Sequence, residues 1–240
     1  MKIDANLCIA CESCLVYCPA MAIKVEDGLV YISEDVCFEC GICKRLEVCS
    51  EDAFVESEGV TEYPRVVRAF FSNPNTTHKL TLVPGRGTQE SKTNDVTGRI
   101  KRGQVGICIE FGRPGTGSNF RDISLMTAKL KKHGVEFEPN NPLTALMDIA
   151  TGEFPHELID QRILSAIIEI KVGALQDLET VVQAIIEISR EIDTVFSLSL
   201  VSRFENNSEL PILEKLSDIG VSYAPNAKIN FGLGRPLVEL

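Results

Sequence analysis

The chain has no tryptophan, four tyrosines and only three histidines among its 240 residues. Aromatic residues make up 6% of it and are not interleaved with the basic stretches, and the net charge is −10. Both features argue against a nucleic-acid partner. His78, His133 and His156 stand far apart without partners at metal-ligand spacing. No apolar run approaches the ~18 residues of a membrane span. Met1-Lys2-Ile3-Asp4 does not lead into an apolar stretch with a small-residue cleavage site, so no signal peptide and a cytoplasmic location are expected. Gly-Lys-Ser/Thr of a P-loop and a complete GxGxxG are missing as well.

The composition is that of a globular protein, with 44% hydrophobic and 24% charged residues. The charge is unevenly spread. Residues 1–60 hold 4 Lys/Arg against 12 Asp/Glu, residues 61–125 hold 10 against 5, and residues 126–240 hold 10 against 17. An acidic head favours docking on basic partner surfaces, and a basic belt inside an acidic chain suggests a local anion site.

Eight of the nine cysteines fall in two runs: Cys8-x2-Cys11-x2-Cys14-x3-Cys18-Pro19 and Cys37-x2-Cys40-x2-Cys43-x5-Cys49. Steps of three residues in a tight loop bring three thiolates around one cubane. A fourth ligand must come from elsewhere, because one short loop cannot enclose a cluster. Disulfides suit small secreted domains, and structural zinc uses pairs of CxxC rather than CxxCxxC triples. Iron–sulfur binding is the favoured chemistry.

The first run resembles the bacterial dicluster ferredoxin signature, in which the fourth cysteine ligates the other cluster. The resemblance covers residues 1–57 and implies two [4Fe–4S] clusters. Carried onto this chain, it gives Cys8, Cys11, Cys14 and Cys49 to one cluster and Cys37, Cys40, Cys43 and Cys18 to the other. The second run departs from the pattern in its five-residue spacer and in Ser50, which stands where proline is usual.

Local patterns agree. Ala22–Val25 and Leu29–Ile32 flank Glu26-Asp27-Gly28 as a β-hairpin. Cys18-Pro19-Ala20-Met21-Ala22-Ile23 parallels Cys49-Ser50-Glu51-Asp52-Ala53-Phe54, a pseudo-repeat. Ile9, Val16, Tyr17, Ile23, Phe38, Ile42 and Phe54 are expected to shield the clusters from water. Cys108, alone in an apolar strand, reads as a small core residue.

A boundary is expected at Gly59–Pro64, dividing a ferredoxin domain at 1–60 from a second domain at 61–240. In the latter, Arg65–Phe71 reads as a strand, 83–103 as a long loop and 104–111 as a strand. A helix runs from Phe120 to about His133, capped by Asn119, with a short strand at 135–138. Further helices are expected over 141–152 and from Pro155. Strand 165–172, helix 175–192 and strand 194–203 then repeat the order, followed by helix 211–219 and strand 221–231. The fold class is α+β. The second domain is expected to be an α/β sandwich of repeated βαβ units, ferredoxin-like with a mainly antiparallel sheet. A parallel doubly wound sheet is the alternative.

The basic belt includes Arg86, Lys92, Arg99, Lys101, Arg102 and Arg113. Gly112–Ser118 delivers the chain to a helix N-terminus, where free N–H groups favour an anion. Arg86, Arg99, Arg113, Gly115, Gly117, Ser118 and Asn119 are therefore candidate binding residues for an unidentified anionic ligand. Glu110 and Glu169 occupy equivalent strand positions and are expected to be solvated. The leading functional expectation is an electron-transfer protein or subunit of an oxidoreductase in an anaerobe. It would pass low-potential electrons to a partner, with the second domain docking or oligomerising. Two alternatives stand beside it. One is a reductase whose substrate sits in loops 84–103 and 112–118. The other is a redox or ligand sensor.

Overall fold

The computed structural model describes residues 1–77, 98–112, 115–205 and 209–224. Strand β1 (Lys2–Ile3) opens the chain, and the hairpin β2 (Ile23–Glu26) and β3 (Leu29–Ile32) follows the first cysteine run. Asp27 and Gly28 both have positive φ, which is what a two-residue hairpin turn of this hand requires. The second run carries the one-turn helix α1 (Ile42–Arg45). Strand β4 (Phe54–Val55) then returns to pair antiparallel with β1, closing the head of the molecule.

Helix α2 (Val66–Ser72) comes next. A strand is expected from the sequence over Arg65–Phe71, which is rich in valine and phenylalanine, but Val66–Ser72 is helical. Two neighbouring faces, about 100° apart, are buried, and that hides the helical period. Val67 and Phe71 enter the core of the second half, while Arg68 and Ser72, on the adjoining face, bond to loops.

The remainder runs β5 (Val105–Phe111), β6 (Ser118–Asn119), α3 (Phe120–Lys132), β7 (Glu136–Phe137), β8 (Arg162–Ile163), β9 (Ala166–Val172), α4 (Leu178–Ile188), β10 (Phe196–Ser202) and α5 (Pro211–Asp218). Four strands make one sheet in the order β10-β5-β9-β7, every pair antiparallel. That pairing excludes a parallel doubly wound sheet among the described residues. Asn119 caps α3 by accepting from the Asp122 amide at 2.8 Å. Ile107, Ile109 and Phe111 of β5 and Ile168 and Ile170 of β9 share one sheet face, which packs on Ile123, Met126 and Leu130 of α3 and Val181, Val182 and Ile185 of α4.

Three other expectations differ from the structure. Over 141–152 only a 3₁₀ turn forms, at Thr144–Leu146. Asn141 folds its side chain back to accept from the Leu143 amide, and Asp148 does the same for Ala150, so local side-chain bonds replace a helix. Residues 221–224 are not a strand, and 225–231 lie outside the described residues. Pro155 opens only a 3₁₀ turn at His156–Leu158. No described helix is long and apolar enough to cross a membrane.

One aromatic ring of the head seats directly on the second half. Phe38, fully buried, lies with its ring tip over Gly117, so that a Cβ there would stand 2.1 Å from Phe38 Cζ. Gly117 also has φ +76. The Arg162 guanidinium stacks on the same ring, 5.3 Å from its centroid. Gly117→Ala is expected to cost about 2–4 kcal/mol through overpacking and left-handed strain together. Gly115→Ala, whose Cβ meets nothing within 4 Å, is expected to cost less. Paired denaturation curves of the two variants check this.

Candidate metal centre

The two cysteine loops have matching backbones. Ala10 and Glu39, two residues after Cys8 and Cys37, are left-handed with φ 53 and 54, and Glu12 and Gly41 follow with φ 61 and 66. Met21 and Asp52, three residues after Cys18 and Cys49, are left-handed again with φ 50 and 45. One residue later the amides of Ala22 and Ala53 donate to Cys18 Sγ at 3.2 Å and Cys49 Sγ at 3.4 Å. The pseudo-repeat in sequence is thus a repeat in conformation. The longer Cys43–Cys49 spacer is taken up by the last turn of α1 and by Glu47, left-handed at φ 51.

The thiols fall into two neighbourhoods, each drawing on both runs. Cys8, Cys11, Cys14 and Cys49 line a single recess of about 380 Å³, open solvent at its mouth included, together with Ile3, Ile9 and Phe54. The Cys14 thiol is pushed up first by burial, then by the charges of Cys11, Cys8 and Cys49. Burial likewise pushes Cys37 up to about 12 and Cys43 up to about 11. For Cys40 and Cys43 the neighbouring thiols that add to this include Cys18, from the first run.

This donor set fits iron–sulfur clusters. Four sulfurs surround a recess with apolar walls, and amides point at sulfur in both loops. Among the described residues no three Cys, His, Asp or Glu side chains converge on a single metal ion.

The neighbourhoods differ in exposure. Cys11 is exposed, and Cys8, Cys14 and Cys49 are half-buried, whereas Cys37, Cys40 and Cys43 are buried. Ile23, Phe38 and Phe54 are buried and provide the expected apolar cover, but Ile9 at the first recess is exposed, as are Val16 and Tyr17. Glu12 and Glu51 rim its recess. The second neighbourhood faces α2 and β8. Arg68 donates to Cys37 O and Arg45 to Cys40 O. Glu39, with its side chain 2% exposed, accepts from Arg65 Nε at 3.0 Å, Arg65 Nη2 at 2.5 Å and the Met1 amine at 2.6 Å. Sequence reasoning missed Arg65, Arg68 and Glu39. Glu39 lies between Cys37 and Cys40, which could have flagged it, whereas Arg65 and Arg68, well beyond Cys49, carry no such signal.

The candidate anion-binding residues do not come together as one site among the described residues. Arg86 and Arg113 lie outside those residues. Arg99 ion-pairs with Glu138, and its Nη2 lies 3.5 Å from Glu169. Gly117 receives Phe38, Gly115 turns the chain, and Ser118 lies in β6 opposite Ile163. The first amides of α3 are bonded within the chain, Phe120 to Gln161 O, Arg121 to Ile159 O and Asp122 to Asn119. Glu110 and Glu169, expected in solvent, are both buried, and Glu169 also accepts from Asn141 Nδ2 at 2.8 Å. Buried Cys108 pairs across the strands with Glu169.

These loops make the N-terminal segment an iron–sulfur, ferredoxin-type module, and residues 1–24 match the family described as 4Fe-4S binding domain. That match spans the first cysteine run and not the second. Among curated proteins, an uncharacterized ferredoxin of Methanocaldococcus jannaschii is 49% identical over 39 residues, 15% of this chain and 24% of that one. An uncharacterized protein of the same organism is 52% identical over 44 residues, 18% of this chain and 11% of that one. The matched segment therefore spans about a quarter or less of these relatives. No solved structure matches the chain.

Proposed function

We propose that the chain is a two-cluster electron carrier, acting as a protein or subunit that passes single low-potential electrons to a partner oxidoreductase. Cys8, Cys11, Cys14 and Cys49 hold the first [4Fe–4S] cluster, and Cys37, Cys40, Cys43 and Cys18 hold the second. The observation that carries this reading is the crossed grouping of thiols, three from one loop and one from the other in each neighbourhood. When bound, the clusters accept and release one electron each. The chain's own groups direct amides at sulfur, exclude water with Ile23, Phe38 and Phe54, and leave the first site near the surface.

The exposed Ile9 beside Glu12 and Glu51 at the first recess suits a redox protein with a basic docking surface. The domain division at about residue 60 and the reading of the four-stranded sheet as two βαβ units belong to the same proposal. A cytoplasmic, anaerobic setting suits exposed clusters. The reductase alternative has less support, because the α3 amides and Gly117 are engaged within the chain.

Cys18→Ser tests the crossed ligation. Iron content and EPR of the reduced protein are expected to show loss or conversion of the second cluster, with the first intact, although Cys18 belongs to the first run. Loss of the first cluster alone would sink the assignment.

A further inference from the structure

Arg68 is a buried cation whose bonds all go to neutral oxygens. It is 7% exposed. Its Nε donates to Gln161 Oε1 at 2.7 Å, and its Nη1 donates to Glu34 O at 2.6 Å and Cys37 O at 2.9 Å. No carboxylate of the described residues pairs with it. Glu39 and Asp35 attract it from further off, and Glu39 is already held by Arg65 and the Met1 amine. A guanidinium does not give up its proton in a protein, and a buried charge without a counter-charge is costly. Something anionic belongs beside it, and the side on which it bonds is the Cys37 loop.

A cubane held by four thiolates is a dianion, and it gains one more negative charge when it takes up an electron. We propose that Arg68, from helix α2 outside the ferredoxin-type module, is the counter-ion of the second cluster and holds its reduction potential up. The inference rests on the two-cluster reading. Burial alone would lower the potential of this site, because water no longer stabilises the added electron. A full cation at hydrogen-bond distance from the ligand loop opposes that. The step is a bare electron transfer: one electron arrives from a reduced partner, no bond is made or broken, and Arg68 keeps its proton. Through Gln161, whose backbone oxygen accepts from the first amide of α3, the same cation ties the cluster to the second half of the chain.

The test is an EPR-monitored redox titration of the full chain. The second-cluster signal is assigned by comparison with Cys11→Ser, which removes a ligand of the first cluster. Arg68→Met removes the charge. Gln161→Glu keeps the packing and gives Arg68 an ion-pair partner, so it remains informative if Arg68→Met does not fold. Both are expected to lower the second cluster selectively, by at least a tenfold change in its reduced-to-oxidised ratio at fixed ambient potential, which is 59 mV for a one-electron couple. Arg68→Lys is expected to recover most of the shift. An unchanged potential in Gln161→Glu, an equal shift of both clusters, or a Lys variant no better than Met would overturn the role. A wild-type chain holding about four rather than about eight iron atoms would instead remove the two-cluster reading on which it rests.

Discussion

Removal of iron by an anaerobic chelator is expected to unfold residues 1–57 and leave the four-stranded sheet standing. The two halves have very different means of support. Apart from cysteines, the buried core of the head consists of Met1, Ala20, Ala22, Ile23, Val30, Ile32, Phe38 and Phe54. Its strands are two or four residues long. A unit of this size is marginal on burial alone and needs a metal or a crosslink. Among the described residues the second half buries 28 core residues from β5, β7, β8, β9, α2, α3, α4, α5 and the loops between them. Hydrogen exchange read by mass spectrometry is the measurement. Peptides from 1–57 should lose protection when iron is removed, while 105–111, 120–132, 166–172 and 178–188 keep it. Protection of the head that survives iron loss would show that its few apolar side chains suffice.

Glu39→Ala is expected to cost about 3 kcal/mol, the lower end of the range for breaking a buried ion pair. The carboxylate is almost wholly enclosed and holds both Arg65 and the Met1 amine. Its loss leaves the Arg65 guanidinium, itself 16% exposed, with the half-exposed Glu34 as its remaining charge partner, and that limits the damage. Glu39→Gln keeps one acceptor and should cost less. Denaturant midpoints with clusters loaded give both values. An Ala variant as stable as the parent would mean that the pair only offsets its own desolvation.

Much of this was legible in the sequence, for identifiable reasons. Cysteine spacing is a direct record of loop geometry, and both runs adopt the same left-handed positions. Strands β5, β9 and β10 and helices α3 and α4 carry clear periods because each buries one face or is apolar throughout. Helix α2 reads as a strand because Val67 and Phe71 serve one core while Arg68 and Ser72 are buried on the adjoining face, which leaves no polar stripe at the helical period. In sequence Gly117 reads as a turn or an anion cradle. That it accommodates the ring of Phe38, some eighty positions earlier, is a tertiary fact with no local signature. Glu110 and Glu169 looked like solvent-facing carboxylates because alternation in a strand does not tell which covered face holds a charge.

Seven non-glycine residues of the described chain have positive φ, and all of them lie between Ala10 and Asp52. Each such residue costs about 1 kcal/mol or more, a sum that the eight apolar side chains of the head have little means to meet. A newly made chain therefore has no reason to hold its cysteine loops in this shape before iron and sulfide arrive. For biogenesis this sets an expected order, in which the larger half folds first and cluster insertion brings the ring of Phe38 to rest over Gly117.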